Sequence, residues 1–330
     1  MSNRELLLII VFATYAFEGL LLIISNGLVE LVLIKHRYLR RQYIILFAQA
    51  FADTVLGIGY CLAGIGRIIA MKLGPDRMTR RSCLLLPWST VIIWSELMSA
   101  TSTLMVSTDR IISLISPMRY FEKNYSYQVR QIIIYFASVS LFVFISWFFS
   151  FIDNESLLHG LCWSGDVLQP YFADIQALLM ISTTSLSVIL YIVVYFLSRK
   201  HLRRIKSNQT EASLQSFEAR QRKLTITMGV SCVFTLIFYV IPLCSKLLIY
   251  DDDGDPTTYY SELMRVAVAI SCNVNPLTNI AAVLIRQDDI AYRVKQILPE
   301  CIQKSIFKCD QIAVPCMHTL SSQTIPTRKN

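Results

Sequence analysis

The chain has 330 residues, 54% of them hydrophobic and 16% charged, with a net charge of +8 and a mean hydropathy of +0.49. A soluble globular domain carries about 25% charged residues, so this composition suits a chain whose solvent is largely lipid. The positive charge sits in short clusters between long apolar runs, which is the pattern of cytosolic loops and argues against nucleic-acid binding.

A helix crosses a bilayer core of about 30 Å with roughly 20 apolar residues. Seven stretches meet this: Leu6–Ile34, Tyr43–Ala70, Cys83–Ser116, Gln131–Ile152, Tyr171–Leu197, Lys223–Ile249 and Ser261–Ile285. The first is too long for a signal-peptide core and has no convincing cleavage site, so it reads as an uncleaved span. The expected fold is an all-α membrane protein, a seven-transmembrane helix bundle with a short interfacial helix after the seventh span. Residues 1–5 are then a short external N-terminus, 6–285 the bundle and 286–330 a cytosolic tail. An amphipathic helix over about 289–302 places Ile290, Val294, Ile297 and Leu298 on one face, with Arg293 and Lys295 available for lipid headgroups.

Loop charge sets the orientation. The first loop is basic (KHRYLRR), and Arg199–Lys223 holds eight basic residues against Glu211 and Glu218. The loops Asp153–Pro170 and Asp251–Asp255 carry acids and no Lys or Arg. The N-terminus is therefore expected outside and the C-terminus in the cytosol of a plasma-membrane protein. The basic segment Lys72–Arg81 dissents, since this topology puts it outside.

Polar groups inside spans are costly and usually face the protein interior. Counted inward from the cytosolic helix ends at about 1.5 Å per residue, Asn26, Asp53, Ser99 and Asn275 lie at one depth, roughly 12–17 Å. Four helices thus supply one buried polar cluster, with water or a sodium ion by Asp53, unless each residue makes a separate interhelical contact. Glu96 lies further out, about 21 Å from the inner end of its helix. It is either a ligand-contacting carboxylate or part of a structural ion pair with Lys246 or Arg265. Glu18 and Glu30 read as peripheral or snorkelling.

Of nine cysteines, only Cys83 and Cys162 fall at or beyond the outer face outside core positions. An oxidising exterior would pair them. Cys301 beside the amphipathic helix is a possible acylation site. Of the sequons at Asn124, Asn154 and Asn208, only Asn154 is external in this topology.

With these residues in place, the chain resembles the rhodopsin-like G-protein-coupled receptors. The first span has Asn26-Gly27 and the second FAQAFAD, ending at Asp53. The third ends in Asp109-Arg110-Ile111, and the fourth has a central Trp147. Pro242 stands in the sixth span and Asn275-Pro276-Leu277-Thr278-Asn279 in the seventh. Within that family the chain is similar to the nematode serpentine chemoreceptors of class sx, through LRRQYIILFAQAFAD and DRIISLISPMRY.

The resemblance implies a receptor that binds an extracellular small molecule or short peptide and activates a heterotrimeric G protein. Asp109, Arg110, Pro242, Asn275 and Pro276 would form the activation switch, and Asn26, Asp53, Ser99, Ser271 and Asn275 the interior polar network. Pro242 would kink the sixth helix by removing a backbone hydrogen bond. Val240 replaces the toggle tryptophan and Asn279 the seventh-helix tyrosine, and Arg222 stands where relatives place an acid that pairs with Arg110. Ile92 occupies the position of the aminergic aspartate, and the seventh span has no lysine for a retinal Schiff base. Ser89, Ile92, Ile93, Glu96, Asp174, Lys246 and Arg265 are the expected pocket residues.

An enzyme is disfavoured, since all four histidines lie outside the spans and no nucleophile or phosphate motif is present. A transporter or channel is the alternative. It should display repeated halves or a polar stripe along a helix, and neither is visible.

Overall fold

The computed structural model describes residues 3–75, 77–115, 117–153, 157–205, 229, 231–250 and 259–297. In chain order the elements are α1 (Asn3–Lys35), α2 (Arg37–Gln42), α3 (Ile44–Leu73), β1 (Arg77–Thr79), α4 (Arg80–Leu84), α5 (Pro87–Ile115), α6 (Pro117–Ile152), β2 (Leu157–His159), α7 (Ser164–Val167) and α8 (Pro170–Ile205). A π-helical turn, Leu236–Val240, leads into α9 (Ile241–Tyr250), followed by α10 (Tyr259–Arg286) and α11 (Asp288–Ile297).

Four of these helices are long and apolar enough to cross a membrane: Glu5–Lys35, Ile44–Leu73, Tyr125–Ile152 and Pro170–Leu197. Ser231–Ser245 and Ile270–Ile285 are shorter apolar helices. α5 carries Glu96, Asp109, Arg110 and many serines and threonines, because it is the helix that neighbours surround. It packs on α3, α6 and α8, while α1 closes the ring between α3 and α10. On the outer surface, Ile133, Ile134, Leu141, Phe144 and Phe148 of α6 and Leu178, Leu186, Ile189 and Phe196 of α8 are exposed. Apolar faces of that extent suit a lipid solvent and not water.

The boundaries differ from expectation in three places. The third expected span began at Cys83, but Cys83 lies in the short α4, and α5 starts at Pro87. A proline tolerates the first helical turn because its missing N–H has no partner there anyway. Helices α6 and α8 extend well beyond the expected fourth and fifth spans, starting at Pro117 and ending at Ile205. Third, the α11 apolar face does not lie free. Ile290 and Val294 are buried against Val29, Val32, Leu33, Leu39 and Tyr43. Tyr43 Oη also donates to Gln287 Oε1 at 3.3 Å. The remainder of the expected 289–302 helix, and Cys301, lie outside the described residues.

Helices α1 and α3 meet at backbone distance. A Cβ built on Gly19 would stand 2.5 Å from the Gly57 carbonyl oxygen, and one on Gly57 would stand 2.7 Å from that of Gly19. One on Gly64 would collide with the Phe12 carbonyl. Small residues at such crossings let membrane helices gain van der Waals contact that larger side chains forbid.

The outer end is tied by a disulfide, Cys83–Cys162, across a Cα separation of 5.4 Å. β1 and β2 pair antiparallel, with Arg77 opposite His159 and Thr79 opposite Leu157. Cys162 has φ 46°, a left-handed conformation uncommon outside glycine. Arg67, reaching up from α3, holds that turn. Its Nε donates to the Leu161 carbonyl at 3.2 Å and its Nη2 to the Cys162 carbonyl at 3.3 Å, and its guanidinium lies 4.6 Å from the Trp163 ring centre. The dissenting basic segment is partly absorbed here as well. Arg80 pairs with Asp153, and Arg81 lies over the Phe151 ring at 4.3 Å.

Candidate functional site

Polar side chains gather at three levels of the bundle. At the inner end of α5, Asp109 is completely buried and pairs with Arg110 at 3.1 Å. Tyr120, at the start of α6, donates its phenol to both Asp109 oxygens, at 2.9 and 3.0 Å. Gln128 Nε2 in turn donates to Tyr120 Oη at 2.7 Å. Neighbouring residues on a helix do not face each other, so the Asp109–Arg110 contact alone would be a weak restraint. The Tyr120–Gln128 chain orients the carboxylate and so aims Arg110. Tyr120 and Gln128 were not legible as site residues, because their roles depend on α6 extending back to Pro117. Arg222 lies outside the described residues.

The middle level is the interior network. Ser99 Oγ donates to Asp53 Oδ1 at 2.6 Å, joining α5 to α3. Asn26 instead turns its amide to the Leu22 carbonyl of its own helix, at 3.1 Å. Asn275 Oδ1 accepts from Thr235 Oγ1 at 2.8 Å, linking α10 to the helical segment before the π turn. Asn26, Asp53, Ser107, Tyr191, Thr235 and Asn279 are among the residues lining a cavity of about 40 Å³. At about 10–15 Å³ per water, it has room for a few ordered waters among its polar walls. Ser107 and Ser187 share a hydrogen bond of 2.6 Å across its α5–α8 side.

Ser271 and Pro242 meet in one device. A proline cannot donate to the carbonyl four residues earlier, which here is that of Phe238. Ser271 Oγ donates to that carbonyl at 2.9 Å. The helix is wound as a π turn at Leu236–Val240, ending two residues before Pro242. The helix-breaking residue and the side chain that repairs the break therefore come from different helices. Pro276 is buried within α10, beside Asn275.

The outer level contains the expected ligand residues, and the structure assembles only some of them. Tyr60 Oη donates to Glu96 Oε1 at 3.0 Å. Ile92, one turn outward on the same face of α5, packs with Leu22, Leu56, Tyr60 and Trp88, whereas Ile93 faces the opposite cluster around Val139 and Met180. Ser89 is buried with no hydrogen-bond partner for its Oγ. Asp174 is exposed, because α8 turns Gln176 and Met180 inward and leaves Asp174 on the outer face. The side chains of Lys246 and Arg265, and Asn154, lie outside the described residues. Two expectations in α1 are corrected. Glu18 is buried and accepts from Asn273 Nδ2 at 2.9 Å. Glu30 is half-buried and accepts from Thr54 Oγ1 at 2.6 Å. Both carboxylates found interhelical donors, which is cheaper than reaching for the membrane surface.

No curated protein matches the chain. The family model for the 7 transmembrane receptor (rhodopsin family) matches residues 25–278, which include Asp53, Asp109-Arg110, Pro242 and Asn275-Pro276. The chain belongs to the rhodopsin family of seven-transmembrane receptors.

Proposed function

We propose that this receptor is chemosensory, sits in the plasma membrane with its N-terminus outside, and converts binding of an extracellular small molecule or short peptide into activation of a heterotrimeric G protein. The observation that carries this reading is the buried Gln128–Tyr120–Asp109–Arg110 chain at the inner end of α5. A cation held beside a fully buried carboxylate is costly to maintain, and its use is as a releasable latch. Ligand binding favours an arrangement with the inner ends of the fifth and sixth helices opened, and it shifts the equilibrium only by its differential affinity for the two states.

The Thr235–Asn275 bond and the Ser271–Phe238 bond are the restraints such an opening would rearrange. The cavity lined by Asp53 and Thr235 supplies alternative partners for the side chains that move. A sodium ion beside Asp53 fits the same cavity, where carboxylate, amide and hydroxyl oxygens are at hand. The similarity to class sx chemoreceptors suggests small environmental chemicals as ligands.

The test is G-protein activation in cells with confirmed surface expression, against pooled metabolites, odorants and short peptides. Arg110→Ala is run in parallel. A response that disappears in Arg110→Ala is the expected outcome. Ion flux or solute uptake in place of any G-protein signal would overturn the reading in favour of a transporter.

A further inference from the structure

At the inner end of the bundle, the six-residue α2 is tied on two sides. Its C-terminal cap, Tyr43, is buried and donates its phenol to Gln287 Oε1 at 3.3 Å. Gln287 stands at the corner between α10 and α11 and is only 3% exposed. Leu39 of α2 packs with Ile290 and Val294 of α11. On the other side, the Arg41 guanidinium lies 5.8 Å from the ring centre of Tyr125 in α6. α2 thus spans from α11 to the helix that carries Tyr120 and Gln128. Tyr43 is also close enough to act on the Arg110 charge.

We infer that the Tyr43–Gln287 contact is an autoinhibitory clasp. It holds the inner ends of α10 and α11 against the start of α3, and it parts when the receptor engages its G protein. This rests on the receptor reading above and adds a residue pair, outside the Asp109–Arg110 latch, that sets the basal signal.

The local geometry suits a contact that exchanges. Helical hydrogen bonding runs through the α10–α11 corner, since Gln287 N–H donates to the Val283 carbonyl at 2.8 Å and the Gln287 carbonyl accepts from Ala291 N–H at 2.9 Å. The two helices therefore turn together at this end. Pro276 deprives the α10 ladder of one donor, and any shift of the helix below it carries Gln287 along. An O–H···O bond is usually about 2.7–2.8 Å long, so the Tyr43 bond is a weak one. Gln287 is also used at one end only. Its Oε1 accepts, while its buried Nε2 has no partner among the described residues. A side-chain amide carries N–H donors that are costly to bury unmade. An arrangement that gives Nε2 an acceptor recovers that cost, so the corner gains by moving once Tyr43 releases it. The larger anchor of α11 is its apolar contact with Val29, Val32 and Leu33 of α1. Deleting one hydroxyl therefore loosens the corner and leaves the fold in place.

The experiment uses the full chain reconstituted in lipid, as the unaltered protein, Tyr43→Phe, Gln287→Met and the double variant. Two quantities are read: nucleotide exchange on purified heterotrimeric G protein without ligand, and amide hydrogen exchange of α11 in the receptor alone. The expected result is that each single variant raises basal nucleotide exchange severalfold at equal receptor amount. The double variant rises no further than the larger single, because both remove the same contact. Protection of α11 falls in all three, while that of α3 around Gly57 and Gly64 is unchanged. If Gln287→Met fails to fold, Tyr43→Phe, which removes a single oxygen atom, carries both readings. Unchanged basal exchange, a double variant equal to the product of the singles, or undiminished α11 protection would each overturn the inference while leaving the receptor reading standing. Exchange at the protein-free rate from every protein, the unaltered chain included, would sink the receptor reading and the inference with it.

Discussion

Asp109 gains its meaning from a tyrosine eleven positions later, at the other side of a helix break. Removing only the Tyr120 hydroxyl leaves the ring and its packing in place but takes the phenol donor from both Asp109 oxygens, so that only the Arg110 contact orients the carboxylate. Tyr120→Phe is therefore expected to loosen Arg110 and raise basal G-protein activation severalfold at equal surface density, read as nucleotide exchange without ligand. Ser271→Ala acts on the Pro242 break. It takes the Ser271 hydroxyl donor from the Phe238 carbonyl, at a cost of about 0.5–1.5 kcal/mol. Purified receptor should melt at lower temperature, and Ser271→Thr, which keeps the hydroxyl, should recover most of the loss. The Asp109–Arg110 pair, Pro242, Asp53 and Ser99 were legible because motif and depth both point to them. Tyr120 and Gln128 were not, since no local pattern reveals that two polar residues of a connecting segment will be buried together.

Helices α1 and α3 lock through glycines whose spacing carries little signal in an apolar run. Gly57→Leu and Gly64→Val would drive side chains into carbonyls of α1, and each should abolish surface expression. Gly27, with nothing within 4 Å of a built Cβ, is the contrasting case. Gly27→Ala should be tolerated, or stabilise by about 0.5–1 kcal/mol through reduced backbone entropy. At this scale the helices were readable from hydropathy, and their ends were not. Hydropathy marks what lies in lipid, whereas α6 and α8 continue past it into segments too polar to register. The same blindness hid the docking of α11. An amphipathic stripe looks alike whether it meets lipid or, as Ile290 and Val294 do, the side of α1.

Across the whole molecule, the outer loop is held by two independent means, the Cys83–Cys162 disulfide and the Arg67 clamp on the same turn. Only the first could be found by counting cysteines. A lone arginine near the outer end of a span looks like a snorkelling residue until the loop it grips is known. Arg67→Met keeps much of the bulk and removes the donors. It should leave the receptor able to fold but sensitise it to reductant, so that mild dithiothreitol abolishes signalling that the unaltered chain retains. Orientation has its own check. Asn154 should carry glycan removable by an endoglycosidase, and Asn154→Gln should remove that mobility shift, as required if the second outer loop faces the lumen during synthesis.

The proposed role of the buried chain ending at Arg110 is that of a latch on a G-protein surface. The most direct measurement is nucleotide exchange on purified heterotrimeric G protein by receptor reconstituted in lipid, comparing the unaltered chain with Tyr120→Phe and Arg110→Ala. Exchange above the protein-free rate, raised by Tyr120→Phe and reduced to background by Arg110→Ala, is the predicted result. The same exchange rate from all three well-folded proteins would contradict it.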